Sequence, residues 1–177
     1  MKYFLAYALL GFILEIIFIS YDKKKLVNTH FLFLPLCPMY GIGGLLISQY
    51  TKTTNNLLLI FIVSIIISIT IEYTTSYLME YLYHNRWWDY TRKKYNLHGR
   101  ICLINSIEFG LLGILIKYLH KYIENIPIDT NIIKLLTVLF ITDLIISTIY
   151  TYLITNNKKY IKNFLSKKIN HKLTLIP

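Results

Sequence analysis

Residues 57–81 read LLLIFIVSIIISITIEYTTSYLMEY. From Leu57 to Ile71 there is no charge, and the polar side chains are confined to Ser64, Ser68 and Thr70. A helix needs about 20 predominantly apolar residues to cross a bilayer. This stretch meets that length and decides the fold class. Outward from it, four further apolar segments run from Tyr3 to Ser20, His30 to Gln49, Ile101 to Leu119 and Ile132 to Ile154. The expected architecture is all-α: a polytopic membrane bundle of five transmembrane helices, the second broken by Pro35 and Pro38. Residues 1–155 form this bundle, and residues 156–177 form a basic amphipathic tail on the cytoplasmic face.

Composition agrees. The chain has 177 residues, of which 55% are hydrophobic and 16% charged, where a soluble domain averages about 25% charged. Its mean hydropathy is +0.48. The net charge of +10 would suit a nucleic-acid binder only on a soluble frame, whereas here Lys and Arg punctuate apolar runs. No nucleic-acid partner is expected. The seven glycines form neither a P-loop nor a dinucleotide fingerprint. Cys37 and Cys102 have no metal-ligand spacing. No cofactor and no metal are expected.

Orientation follows from the sidedness of Lys and Arg. Five crossings place fourteen basic residues on one side, in the cluster Lys23–Lys25, the loop from Arg86 to Arg100 and the tail. The other side receives five: Lys2, Lys52, Lys117, Lys121 and Lys134. A re-entrant second segment would instead give twelve and seven. The richer side is cytoplasmic, so the expected topology is a multi-pass protein of the inner, cytoplasmic membrane with its N-terminus outside and its C-terminus inside. The tail combines lysines with Tyr160, Ile161, Phe164, Leu165 and Ile169, a pattern that suits either an anionic leaflet or a solvated flank.

The costly residues are the acids within apolar segments: Glu15, Glu72, Glu80, Glu108 and Asp143. Each costs on the order of 2.5–3.5 kcal/mol near mid-bilayer. They therefore face the interior, either bonding helices together or lining a polar site. Glu72 and Glu80 lie eight residues apart and share a helix face. Pro35 and Pro38 remove backbone donors, and unwound backbone at membrane depth survives only when buried in protein or beside a wet cavity. The loop from His84 to Arg100 sets Trp87 and Trp88 beside Arg86, Asp89, Tyr90 and Arg92. Arg100 needs an anion, supplied by Glu15, Glu80 or a ligand phosphate. Glu15, Glu80 and Arg100 are expected to converge in one polar pocket open to the cytoplasm.

These motifs occur in an ordered series: Gly11-x-x-x-Glu15, Asn28 through Pro35-Leu-Cys37-Pro38-Met-Tyr40-Gly41, Glu72 and Glu80, Trp88-Asp89-Tyr90, and Asn96-x-x-Gly99-Arg100-Ile101-Cys102-Leu103. The series resembles the putative ABC-transporter type IV family of small bacterial membrane proteins over about residues 1–150. Asp143 is similar to the acid of that family's last helix. The chain departs from the pattern at Leu34-Pro35, where the family usually has Gly-Pro. It departs again at Phe109-Gly110, where the family usually has Trp-Gly and where Glu108 is unusual. The resemblance implies transport without implying a substrate.

The expected function is a transporter or permease-like subunit binding an anionic or amphiphilic substrate in a cytoplasm-facing polar pocket. The alternatives are an intramembrane enzyme acting on a lipid or other amphiphile by carboxylate acid/base chemistry, and an accessory membrane protein without substrate. Catalytic residues are not legible. The substrate-binding set is Glu15, Asn28, Pro38, Tyr40, Glu72, Glu80, Asp89, Tyr90, Asn96, Arg100 and Asp143. Expected partners are membrane lipids together with further copies of the chain, or a partner membrane or ATPase subunit.

Overall fold

The computed structural model describes residues 1–24 and 30–156, so Asn28 and the 157–177 tail lie outside the described residues. Among the described residues five helices follow in chain order: α1 (Lys2–Lys23), α2 (Pro38–Thr51), α3 (Leu57–Tyr83), α4 (Leu103–Asn125) and α5 (Thr130–Asn156). A two-residue-per-strand hairpin, β1 (Asn96–Leu97) and β2 (Ile101–Cys102), lies between α3 and α4, with Asn96 opposite Cys102 and Leu97 opposite Ile101.

Local chemistry sets the boundaries. Asn56 caps α3 by accepting from the backbone N–H groups of Leu58 (3.0 Å) and Leu59 (3.3 Å). Helix α3 ends at His84, which takes the left-handed conformation (φ 52°) and donates its N–H to Glu80 O. Ile126 stops α4 in extended geometry because Pro127 follows it.

Five equivalent spanning helices are not what the structure shows. Among the described residues, three helices are long and apolar enough to cross a membrane: Leu57–Tyr83, Leu103–Asn125 and Thr130–Thr155. Helix α1, 22 residues long, lies outside that count. The second segment is helical only from Pro38 to Thr51. Its 14 residues reach about 21 Å, short of the roughly 30 Å hydrocarbon core. The cause is the proline pair. Each proline removes a donor and biases the preceding residue to extended backbone, as at Cys37 (φ −112°, ψ 102°). Pro38 then starts α2, where a missing N–H costs nothing.

The non-helical stretch 30–37 is held by its neighbours. Cys37 N–H donates to Ala8 O of α1 at 2.9 Å. Asp143 of α5 accepts from Phe33 N–H (3.2 Å), Leu34 N–H (2.8 Å) and Ser147 Oγ (3.1 Å). These bonds replace the helical ones that the prolines forbid. Leu32 joins Phe4, Leu5, Ala8 and Phe140 in the buried core.

Glycines permit the tight pairings. A Cβ at Gly11 would strike Tyr40, and one at Gly44 would strike Tyr7, so α1 and α2 meet almost backbone to backbone. Gly113 admits Ser64 in the same way between α4 and α3. The two ends of the bundle are clear. At one, Lys2 Nζ donates to Glu124 O and Ile126 O, and Lys117 Nζ donates to Asn55 Oδ1. The 84–102 loop, residues 30–37 and the end of α5 lie at the other, where Phe33 packs edge-on against Tyr150.

Candidate functional site

A cavity of about 760 Å³ opens in the half of the bundle that carries the 84–102 loop. Its walls come from the second half of α1, the broken stretch and the start of α2, the second half of α3, the 84–102 loop, the first half of α4, and Leu144 and Thr148 of α5.

One wall is built on Glu15. Extended backbone at Cys37, fixed by Pro38 and by Ala8 O, brings the thiol to α1, where Cys37 Sγ–H donates to Glu15 Oε2 at 3.3 Å. His30 Nδ1 lies 3.8 Å from the same oxygen, and its ring packs on Phe12 at 4.2 Å between centroids. A helical second segment would have carried His30 and Cys37 two turns apart; the break places both on one carboxylate.

The facing wall is built on Glu72, which is only 6% exposed. Its Oε1 accepts from Tyr90 O–H at 3.0 Å, and that phenol oxygen accepts from Asn105 Nδ2 at 2.7 Å. Glu72 Oε2 is buried and has no hydrogen-bond partner among the described residues. The hairpin positions Tyr90: its N–H donates to Gly99 O at 2.8 Å, and Trp88 Nε1–H donates to Arg100 O at 2.9 Å. Gly99 is required there. Its φ is +68°, and a Cβ would meet Thr91 and Asp89. Burial, followed by the charge of Glu72, pushes the Tyr90 phenol well above its ordinary range, so it remains a donor. Asp89 accepts from Thr91 N–H (3.0 Å) and Thr91 Oγ1 (3.1 Å). The backbone bond from Thr91 holds its carboxyl below the usual range, with Arg86 and Arg92 adding to this.

Trp87 also lines the cavity. It packs with Phe31 (5.7 Å) and Tyr83 (5.6 Å), tying the loop to the broken stretch. Both tryptophans of the chain, Trp87 and Trp88, line the cavity.

Of the residues expected from the sequence, Glu15, Pro38, Tyr40, Glu72, Asp89 and Tyr90 line the cavity. Glu80, Asn96, Arg100 and Asp143 do not. Arg100 is paired with Glu80 (2.5 Å), which Arg86 also reaches (2.9 Å). Arg100 Nη1 donates to Ser76 Oγ at 3.2 Å, and the guanidinium lies over the rings of Tyr73 and Tyr77. The expected convergence of Glu15, Glu80 and Arg100 is therefore corrected. Glu72 and Glu80 sit on one face of α3, but only Glu72 reaches the cavity. Asn96 organises the hairpin, donating to Lys93 O (2.8 Å) and accepting from Gly99 N–H (2.9 Å). Asp143 clamps residues 33–34.

The expected binding set left out His30, Cys37, Asn105 and Glu108, all of which line the cavity. Glu108 carried a signal, as an acid in an apolar run. Asn105, two residues into α4, carried little.

A family model described as putative ABC-transporter type IV matches residues 2–152. The chain belongs to this family. No curated protein and no solved structure matches it. The matched region runs from the start of α1 into the last turns of α5, so the whole cavity falls within the family's own fold. Membership and the three long apolar helices make the chain a membrane protein of a transport-associated family.

Proposed function

We propose that the chain is a permease-like subunit that binds an amphiphilic molecule in this cavity. The observation that carries the reading is the cavity's two-sided lining. Buried or half-buried carboxylates, Glu15 and Glu72, lie beside apolar walls from Leu36, Leu78 and Leu112. A pocket of about 300–1,000 Å³ with a few polar groups in apolar walls is the usual form of a small-molecule site.

The cavity opens on the cytoplasmic side in this reading. Lys2 and Lys117, two of the five sparse basic residues, make their contacts at the opposite end, while Arg86, Arg92, Lys93, Lys94 and Arg100 belong to the loop at the cavity's end, which supports this orientation. The N-terminus is then outside and the C-terminus inside. The chain carries no phosphate-binding loop, so energy coupling falls to an ATPase partner or to assembly with further copies. An anionic substrate fits the lining less well than the sequence led us to expect, because Arg100 is committed to Glu80 outside the cavity.

The test uses the two tryptophans. In purified full-length protein, a brominated amphiphile entering the cavity quenches Trp87 and Trp88. The expected result is quenching that saturates at a fixed mole fraction in the micelle and is displaced by the unbrominated analogue. Linear, non-displaceable quenching would overturn the proposal.

A further inference from the structure

We infer that the cavity recognises the cationic head of its amphiphile, an ammonium group carried on an apolar tail. This deepens the functional reading above and rests on it. Among the described residues, four acids line the cavity, Glu15, Glu72, Asp89 and Glu108, against one lysine, Lys93, and the imidazole of His30. Glu72 is decisive. It is only 6% exposed, its Oε1 is held by Tyr90, and its Oε2 is buried without a hydrogen-bond partner among the described residues. A buried carboxylate oxygen left unpaired is costly, and a cation arriving beside it supplies the missing partner.

The rest of the lining suits the same head. Tyr40, Trp87, Trp88 and Phe109 line the same cavity as the acids, and aromatic faces attract ammonium groups within about 6 Å of the ring centre. Leu78, Leu82 and Leu112 offer apolar wall to a tail. An anionic head would meet Glu15 and Glu72 with no free guanidinium among the lining residues, since Arg86 and Arg100 both bind Glu80. The field of the whole chain opposes a cation, because its net charge is +10. A preference for ammonium must therefore arise inside the cavity.

The experiment compares three brominated amphiphiles with one tail and different heads: primary ammonium, whose N–H groups can donate to Glu72 Oε2, maltoside and sulfonate. Quenching of Trp87 and Trp88 is read in full-length protein in neutral micelles. The expected half-saturating mole fraction for the ammonium compound is lower than for the other two by at least about tenfold. Glu72→Gln keeps the shape and the Tyr90 contact but removes the charge, and it should abolish most of that preference at unchanged thermal stability. Glu108→Gln, at an exposed position, should weaken it if Glu72→Gln fails to fold. Equal saturation by all three heads, or tighter binding of the sulfonate, overturns the cationic-head inference and leaves the amphiphile cavity standing. Absence of saturable quenching by any head overturns both.

Discussion

Replacing Asp143 tests the account of the broken segment. The carboxylate receives two backbone N–H groups, from Leu34 at 2.8 Å and Phe33 at 3.2 Å, and it is 7% exposed. Hydrogen bonds to charged groups contribute about 1.5–3 kcal/mol each in soluble proteins. Between membrane helices the measured values are lower, on average about 0.6 and at most about 1.7 kcal/mol, because unfolded partners find each other too. The longer Phe33 bond is the weaker of the two. Residues 33 and 34 precede a proline and have no helical acceptor to fall back on, so the upper part of the membrane range applies. Asp143→Ala should cost about 2–3 kcal/mol, which for a chain of this size lowers Tm by roughly 4–12 °C. Asp143→Asn keeps one carbonyl oxygen for Leu34 N–H and should lose about half as much. Thermal unfolding in a fixed detergent, followed by loss of monodisperse protein, reads both. An Asp143→Ala protein as stable as the parent would refute the clamp. So would an Asp143→Asn protein that falls as far as Asp143→Ala.

Three further outcomes are expected. Arg100→Lys cannot reach Glu80 and Ser76 together, so Tm should fall while amphiphile quenching in the folded fraction stays unchanged; a shifted quenching curve would return Arg100 to the cavity. Gly44→Ala sets a methyl into Tyr7 and should cost about 1–3 kcal/mol by overpacking, visible as lost folded yield; a neutral substitution would contradict the close approach of α1 and α2. A reporter fused after Pro177 should read cytoplasm and one inserted at Thr54 should read exterior, and cytoplasmic activity at Thr54 would reverse the proposed orientation.

The long helices were legible because nothing competes with the pattern. Residues 57–71 carry no charge and no breaker, so period and composition agree. The second segment was half legible. Pro35 and Pro38 announced a break, but its extent depends on acceptors contributed from elsewhere, Ala8 O and Asp143, which local sequence does not reveal. The site divides in the same way. Glu15 and Glu72 were legible because a charge in an apolar run is expensive. Arg100 was correctly expected to find an acid, with Glu80 as one candidate, yet its distance from the cavity was not readable. His30, Cys37 and Asn105 are not acids and so carried no such signal; the folded break brings His30 and Cys37 to Glu15, and Asn105 meets Glu72 only through Tyr90.

The Asp143 clamp also imposes an order on biogenesis. Phe33 and the acid that holds it are separated by 110 positions. At about 5–20 residues per second, roughly 5–20 s of translation pass between them. During that interval α2 is too short to cross unaided and the stretch before it lacks its acceptor. A nascent chain paused before Asp143 should therefore expose residues 30–37 to an insertion chaperone or a protease. Helix α5, made after α1 to α4, finishes the second segment.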